Sequence, residues 1–186
     1  MRPNWFFAFP VAGDFVEELT PPPKGFRRFH PDDVHLTLAF LGRCGEQAAL
    51  RALGALDGLL PIVRQPPLRI SLGEVTPMGS PRAYTALSAL LEHGRMETAT
   101  CMALMRDTLT QAALGRREQR PPKPHVTLAR PKRKVRPSER AQGLVWARSV
   151  DVSAVKRTLD RVALYTWSER RNERLFRIVA ERRLAT

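Results

Sequence analysis

The sequence predicts an α+β fold of two lobes related by a pseudo-twofold axis, each donating one central strand, and three observations carry that prediction. The tripeptide His-x-Thr occurs twice in nearly the same setting, as Val34-His35-Leu36-Thr37-Leu38-Ala39 and Pro124-His125-Val126-Thr127-Leu128-Ala129. The two copies lie 90 residues apart in a chain of 186, so each falls in its own half. Around them, strand-like and helix-like segments follow one another in the order strand, helix, strand, strand, helix, strand. With four histidines and twelve threonines in the chain, chance supplies roughly 0.3 such triplets. Two copies that also match in their apolar flanks therefore need a cause.

The elements follow from local pattern. Asn4 to Pro10 is short, aromatic and apolar, as a buried strand is, and Gly13 to Leu19 suits the start of a short helix. Pro21-Pro22-Pro23-Lys24-Gly25 then forces a loop. Val34 to Leu41 reads as a strand closed by Gly42, and Glu46 to Leu60, rich in Ala and Leu with no internal proline, as a helix. Leu68 to Val75 alternates apolar and polar residues as a half-exposed strand does. Thr76 to Pro81 reads as a turn into a second strand, Ala83 to Leu91, making a hairpin. Met96 to Leu114 has the strongest helical spacing, with Cys101, Leu104, Met105, Leu109 and Ala112 on one stripe ahead of Gly115. Arg116 to Pro124 is a charged loop that delivers the chain into the strand of His125. Pro131 to Pro137 is expected as an exposed basic loop. Ser149 to Val155, Thr158 to Thr166 and Leu175 to Ala180 have strand-like composition. All 186 residues are expected to form one domain of two intertwined lobes.

Composition narrows the class. Hydrophobic residues make up 43% and charged residues 26%, values of a soluble globular chain that exclude a disordered or membrane-spanning one. Thirty-one Lys and Arg against 18 Asp and Glu leave a net charge of +13, which favours a polyanionic partner. Only five of those cations are Lys, so codon bias toward Arg is the competing explanation. The run from Trp5 to Val11 is broken by Pro10 and followed by Asp14, Glu17 and Glu18, so a first core strand explains it better than a secretory leader. Cys44 and Cys101 stand alone, outside any CxxC pair. A cytoplasmic monomer without a membrane anchor is the expectation.

The repeated tripeptide carries chemistry. Side chains alternate along a strand, so His35 and Thr37 share one face while Leu36 and Leu38 take the other, and the second copy repeats this with His125 and Thr127 against Val126 and Leu128. Placed side by side, the strands bring two imidazoles and two hydroxyls to one pocket, a layout for paired acid and base catalysis on a phosphate ester. An imidazole near pKa 6.5 serves either role around neutral pH.

The runs His35-Leu36-Thr37-Leu38-Ala39-Phe40-Leu41-Gly42 and Pro124-His125-Val126-Thr127-Leu128-Ala129-Arg130 resemble the two signatures of the two-histidine (2H) phosphoesterases. More narrowly they resemble the RNA 2′,3′-cyclic phosphodiesterase branch, the LigT or 2′-5′ RNA ligase family. Phe6-Phe7-Ala8-Phe9-Pro10, Pro81-Arg82 and the closing pattern Leu164-Tyr165-Thr166 to Phe176-Arg177-Ile178 extend the likeness over the whole chain. The chain departs from that pattern in carrying Ser168 later than usual after Leu164-Tyr165, and Tyr84 where a Trp further on is common. The resemblance implies a bilobal LigT-like fold, with antiparallel sheets lining a central cleft, helices outside, and neither metal nor other cofactor. It implies opening of a 2′,3′-cyclic phosphate on an RNA end, such as a tRNA half, to leave a 2′-phosphate. His125 is then the base and His35 the acid. Thr37 and Thr127 hydrogen-bond the non-bridging oxygens, and Arg130 adds charge to the transition state. Phe7, or Phe9, and Tyr84 are the rings offered for stacking on a base, against the alternative that they are core.

Other functions are weighed against this one. A 2′-5′ RNA ligase or phosphodiesterase, or a nucleotide cyclic-phosphate hydrolase, keeps the fold and changes the substrate; an RNA-end-binding module keeps the surface and loses the chemistry. Asp32 and Asp33 beside His35 suggest a metal, but no HxH, HExxH or second carboxylate cluster accompanies them. His30 and His93 have no paired context and read as surface residues. The absence of GxxxxGK[ST] and of a Lys-x-Asp-Gly nucleophile speaks against ATP-driven ligation.

Overall fold

Nine strands and three helices follow one another along the computed structural model, which describes residues 2–184. The strands are β1 (Trp5–Pro10), β2 (Phe26–Arg28), β3 (His35–Gly42), β4 (Leu68–Met78), β5 (Ala86–His93), β6 (His125–Pro131), β7 (Lys156–Leu159), β8 (Arg161–Trp167) and β9 (Phe176–Arg183). The helices are α1 (Glu46–Val63), α2 (Arg95–Leu114) and α3 (Pro137–Ser149). All strand pairings are antiparallel, and the order across the curled sheet is β7-β4-β5-β6-β3-β1-β8-β9, with β2 laid along β6.

The two halves of that order, β9-β8-β1-β3 and β6-β5-β4-β7, are the expected lobes. They meet at a single paired position, Leu36 opposite Val126. The chain passes between them: β2 crosses to lie along β6, β4, which follows α1, leaves the first lobe to pair with β5, and β8, which follows β7, returns to pair with β1. The second half, β4 to β7, is therefore one continuous stretch of sequence, whereas the first is assembled from both ends of the chain, β1 and β3 from one and β8 and β9 from the other.

Alternation explains the core. Leu36, Leu38, Val126 and Leu128 are all buried, on the strand faces opposite the histidines. Helix α2 lies against β3 and β4 and packs along α1. Its buried side consists of Thr98, Cys101, Met102, Met105, Leu109, Thr110 and Ala113. The expected stripe is thus rotated slightly: Met102 replaces Leu104, which is exposed. Burial pushes the Cys101 thiol up to about 12, where it is inert.

Several expected boundaries move. The short N-terminal helix is one 3-10 turn, Asp14–Glu17, and a second such turn, Pro31–Asp33, precedes β3. The hairpin turn lies later than expected because β4 continues to Met78. Ser149 to Val155 is not a strand; the chain there leaves α3 and turns into β7. The expected strand from Thr158 to Thr166 is two, β7 and β8, broken at Asp160. Strand β2 follows the expected loop, in a stretch to which the sequence pattern assigns no element.

The expected basic loop is shorter, because Pro131 ends β6 and Pro137 opens α3 at a position where a missing N–H costs nothing. Glu139 closes the start of α3 by accepting the Arg136 backbone N–H at 2.8 Å. The helix docks through a close approach at Gly143, where any Cβ would meet Phe26 Cζ at 2.4 Å and the Tyr84 hydroxyl at 2.5 Å. Among the described residues no helix is long and apolar enough to cross a membrane.

Candidate active site

The two His-x-Thr strands are the neighbours that join the lobes, so the single bridge between Leu36 and Val126 sets the site. In an antiparallel pair the residues flanking such a bridge face across it. His35 therefore looks toward Thr127, and Thr37 toward His125. The two histidines are diagonal neighbours on one face, a relation that separates Cβ atoms by about 7–8 Å or less. That span suits a phosphate held between two rings.

Both imidazoles are oriented in the same way. His35 Nδ1 lies 2.6 Å from the Asp33 carbonyl, and His125 Nδ1 lies 2.6 Å from the Lys123 carbonyl, each two residues back, just ahead of the strand. A carbonyl only accepts, so in each ring Nδ1 carries the proton and the neutral imidazole leaves Nε2 as a free base. The repeat thus extends to the orienting bond, which no side chain supplies.

Their surroundings differ. His35 is only 5% exposed and is enclosed by rings: Phe6 at 4.9 Å, Tyr165 at 5.4 Å, Phe176 at 5.5 Å and Phe29 at 6.2 Å between centroids. Loss of hydration drives its pKa down to about 4, and the nearby charges of Arg130 and His125 push in the same direction. His125 is partly exposed. Its pKa is also below the ordinary histidine value, through desolvation first and then the charges of Lys123 and Arg130. Arg130 thus acts on both rings, and its guanidinium sits over the Phe29 face, 5.2 Å from the centroid.

The hydroxyls are also unequal. Thr127 is buried and shares a 3.1 Å hydrogen bond with Ser88 of β5, its partner in register. Thr37 is half-buried and lies opposite Ala8 of β1, which offers it no hydroxyl. Asp33 is fully buried, and its two carboxylate oxygens accept the Leu175 and Phe176 backbone N–H groups at 2.6 and 2.9 Å. One residue thereby ties the start of β9 to the strand of His35 and orients that ring through its own carbonyl.

Five of the seven residues expected at the site meet there: His35, Thr37, His125, Thr127 and Arg130. Phe7 does not. It is fully buried on the β1 face opposite His35, and the ring that reaches the imidazole is its neighbour Phe6. Tyr84 does not either: it is fully buried, and its hydroxyl donates to the Arg140 carbonyl at 2.7 Å, docking α3. Sequence pattern does not single out Ser88 or Phe29 and raises Asp33 only as a metal ligand, whereas the Phe6-Phe7-Ala8-Phe9-Pro10, Leu164-Tyr165-Thr166 and Phe176-Arg177-Ile178 runs contain the other three cage residues. Among the described residues no group of three or more His, Cys, Asp or Glu side chains gathers as a metal site. A groove of about 930 Å³ between Asp14, Arg157, Arg161 and Arg177 backs onto Tyr165 and Phe176 but contains neither histidine.

No family model and no curated protein matches the chain. Solved structures do. Escherichia coli LigT in its apo form superposes with a TM-score of 0.68 at 19% identity, covering 100% of both chains. LigT complexed with 3′-AMP gives 0.68 at 21% identity over 98% of each chain. The TT0787 protein of Thermus thermophilus gives 0.67 at 19% identity over 97% of each. The chain therefore has the fold of LigT.

Proposed function

We propose that this protein is an RNA 2′,3′-cyclic phosphodiesterase that opens a terminal cyclic phosphate to a 2′-phosphate with two histidines and no metal. The observation that carries this reading is the bridge at Leu36 and Val126, which puts two equally oriented imidazoles and two threonines on one face of one sheet. The fold supports a reaction of the phosphoesterase kind. The complex of LigT with 3′-AMP supports a nucleotide as the ligand class.

The reaction balances on these groups alone. One neutral imidazole takes a proton from water at Nε2 as the oxygen attacks phosphorus. Negative charge then grows on the non-bridging oxygens, where the hydroxyls of Thr37 and Thr127 and the Arg130 guanidinium meet it. The P–O3′ bond breaks, and the protonated second imidazole donates to the departing 3′ oxygen. The product carries a 2′-phosphate and a 3′-hydroxyl, and the two rings have exchanged protonation states.

The electrostatics favour the roles opposite to those the resemblance implies. Enclosed by rings, His35 is the harder of the two to charge, so it suits the base. His125, nearer water and less enclosed, suits the acid once the anionic substrate raises its pKa. A phosphodiester with a nitrophenol leaving group needs no acid. On it, His125→Gln is expected to recover activity and His35→Gln to stay inactive; the converse restores the implied roles.

The reading itself is tested with purified protein and excess chelator on an RNA ending in a 2′,3′-cyclic phosphate. The expected product is the 2′-phosphate. Absence of product, or full activity in either His→Ala variant, would overturn it.

A further inference from the structure

Three arginines stand together beside the two histidines without acidic partners among the described residues. Arg27 of β2 is in register opposite Arg130 of β6, and like charges directly opposite destabilise a sheet. Arg27 turns its guanidinium onto the loop between β8 and β9, donating to the Arg171 carbonyl at 2.8 Å and to the Asn172 and Glu173 carbonyls at 3.4 Å. That clamp brings Arg171 beside the other two. The Arg171 guanidinium lies 3.9 Å from the Trp167 ring centroid, and Arg130 lies over Phe29.

None of the three forms an ion pair among the described residues, whereas arginines elsewhere, such as Arg157 with Asp14 and Arg182 with Asp57, do. Arg130 and Arg171 also donate no side-chain hydrogen bond there. The carboxylate that faces them, Asp33, already has both oxygens on backbone N–H groups. Glu173 in the same loop pairs with Arg170 instead. Three cations packed this closely, with two of them held only by aromatic faces, leave positive charge for an incoming anion to satisfy. The reacting phosphate brings one negative charge and falls to Arg130.

We infer that Arg171, seated on Trp167 and fixed by Arg27, binds a second phosphate, that of the internucleotide linkage one step in from the reacting end. This rests on the proposed function for the identity of the first phosphate. The subsite makes the protein select chain ends over free cyclic mononucleotides. Planar guanidinium geometry suits two non-bridging oxygens at once, and the half-buried Trp167 ring beneath it offers a stacking surface.

The test is a cycle of one substitution against one charge. Substrates are a dinucleotide ending in a 2′,3′-cyclic phosphate, and the same dinucleotide with an uncharged methylphosphonate linkage. Arg171→Gln is expected to lower kcat/KM on the charged dinucleotide about tenfold, the scale of one charge-assisted contact, and to act less than about twofold on the uncharged one. Equal losses on both would overturn the inference, as would no loss on either. The same cycle is read in the Kd of the two dinucleotide 2′-phosphates, products that need no turnover to bind. A charge-dependent difference in binding with no hydrolysis would sink the proposed reaction and leave the subsite standing. Hydrolysis without that difference would do the reverse.

Discussion

The two halves of the site share a sequence pattern and a hydrogen-bond pattern but not an environment. His35 is closed in by Phe6, Phe29, Tyr165 and Phe176. His125 has no ring packed on it among the described residues and is partly open, yet its lobe supplies the Ser88 bond to Thr127 that the other lobe lacks. Ala8 stands where a hydroxyl would complete the match. A duplicated motif thus yields two different acids, because pKa is set by what surrounds a group in space and not by its neighbours in the chain. A reaction that needs one proton taken and one given is served by that inequality.

The comparison breaks most visibly if either imidazole is removed. His35→Ala and His125→Ala are each expected to lower kcat by about 10²–10⁴-fold, and the double variant to lose little more than the worse single one, since the pair acts as a unit. Additive losses in steady-state assays would mean that the rings act separately.

The next effect concerns the cage. Phe6→Ala is expected to cost about 3–5 kcal/mol of stability and to move the His35 pKa up toward the ordinary histidine value as water enters. Denaturant melts and a histidine NMR titration read the two changes, and a titration unmoved by the substitution would show that the rings do not control His35.

A pH effect follows with a defined sign. The unfolded chain takes up a proton near 6.5, whereas folded His35 resists until about 4. Stability from this residue is therefore full above pH 6.5 and falls as pH drops from 6.5 toward 4, by about 3 kcal/mol in all. His35→Gln removes the dependence; His125→Gln, in the more open lobe, removes less of one. The difference between the two variants across about pH 4–7 checks the asymmetry directly.

Ser88→Ala makes the second lobe resemble the first. The expected loss is about 1 kcal/mol of stability, the net worth of one buried hydrogen bond, with a few-fold fall in turnover. An unchanged denaturation midpoint would show that the Thr127 hydroxyl finds another partner.

What can be read along the chain is whatever depends on close spacing. The face shared by His35 and Thr37 follows from a two-residue period, and α1 and α2 from a helical one. Helix α3 escapes such a reading because its buried side is Glu139, Gly143, Trp146 and Ala147, mostly small or charged, so no apolar stripe announces it. Its signal is Pro137 followed by Glu139, a start without a stripe. Phe7 and Phe6 cannot be told apart as site residues in the same way, because parity along β1 does not say which face meets the cleft; register with β3 and β8 does.

The chain alone established that two strands carry the same histidine and threonine on one face and the same aliphatic pair on the other, since alternation of side chains is a property of the backbone and needs no partner. Which imidazole is dry, which threonine gains a hydroxyl, and where three arginines gather were decided only by folding. Those depend on rings and loops up to 170 residues apart along the chain, from Phe6 to Phe176, brought together when β8 and β9 return to the lobe of β1. Solvation and Coulomb energy act through space, and distance along the sequence does not report it.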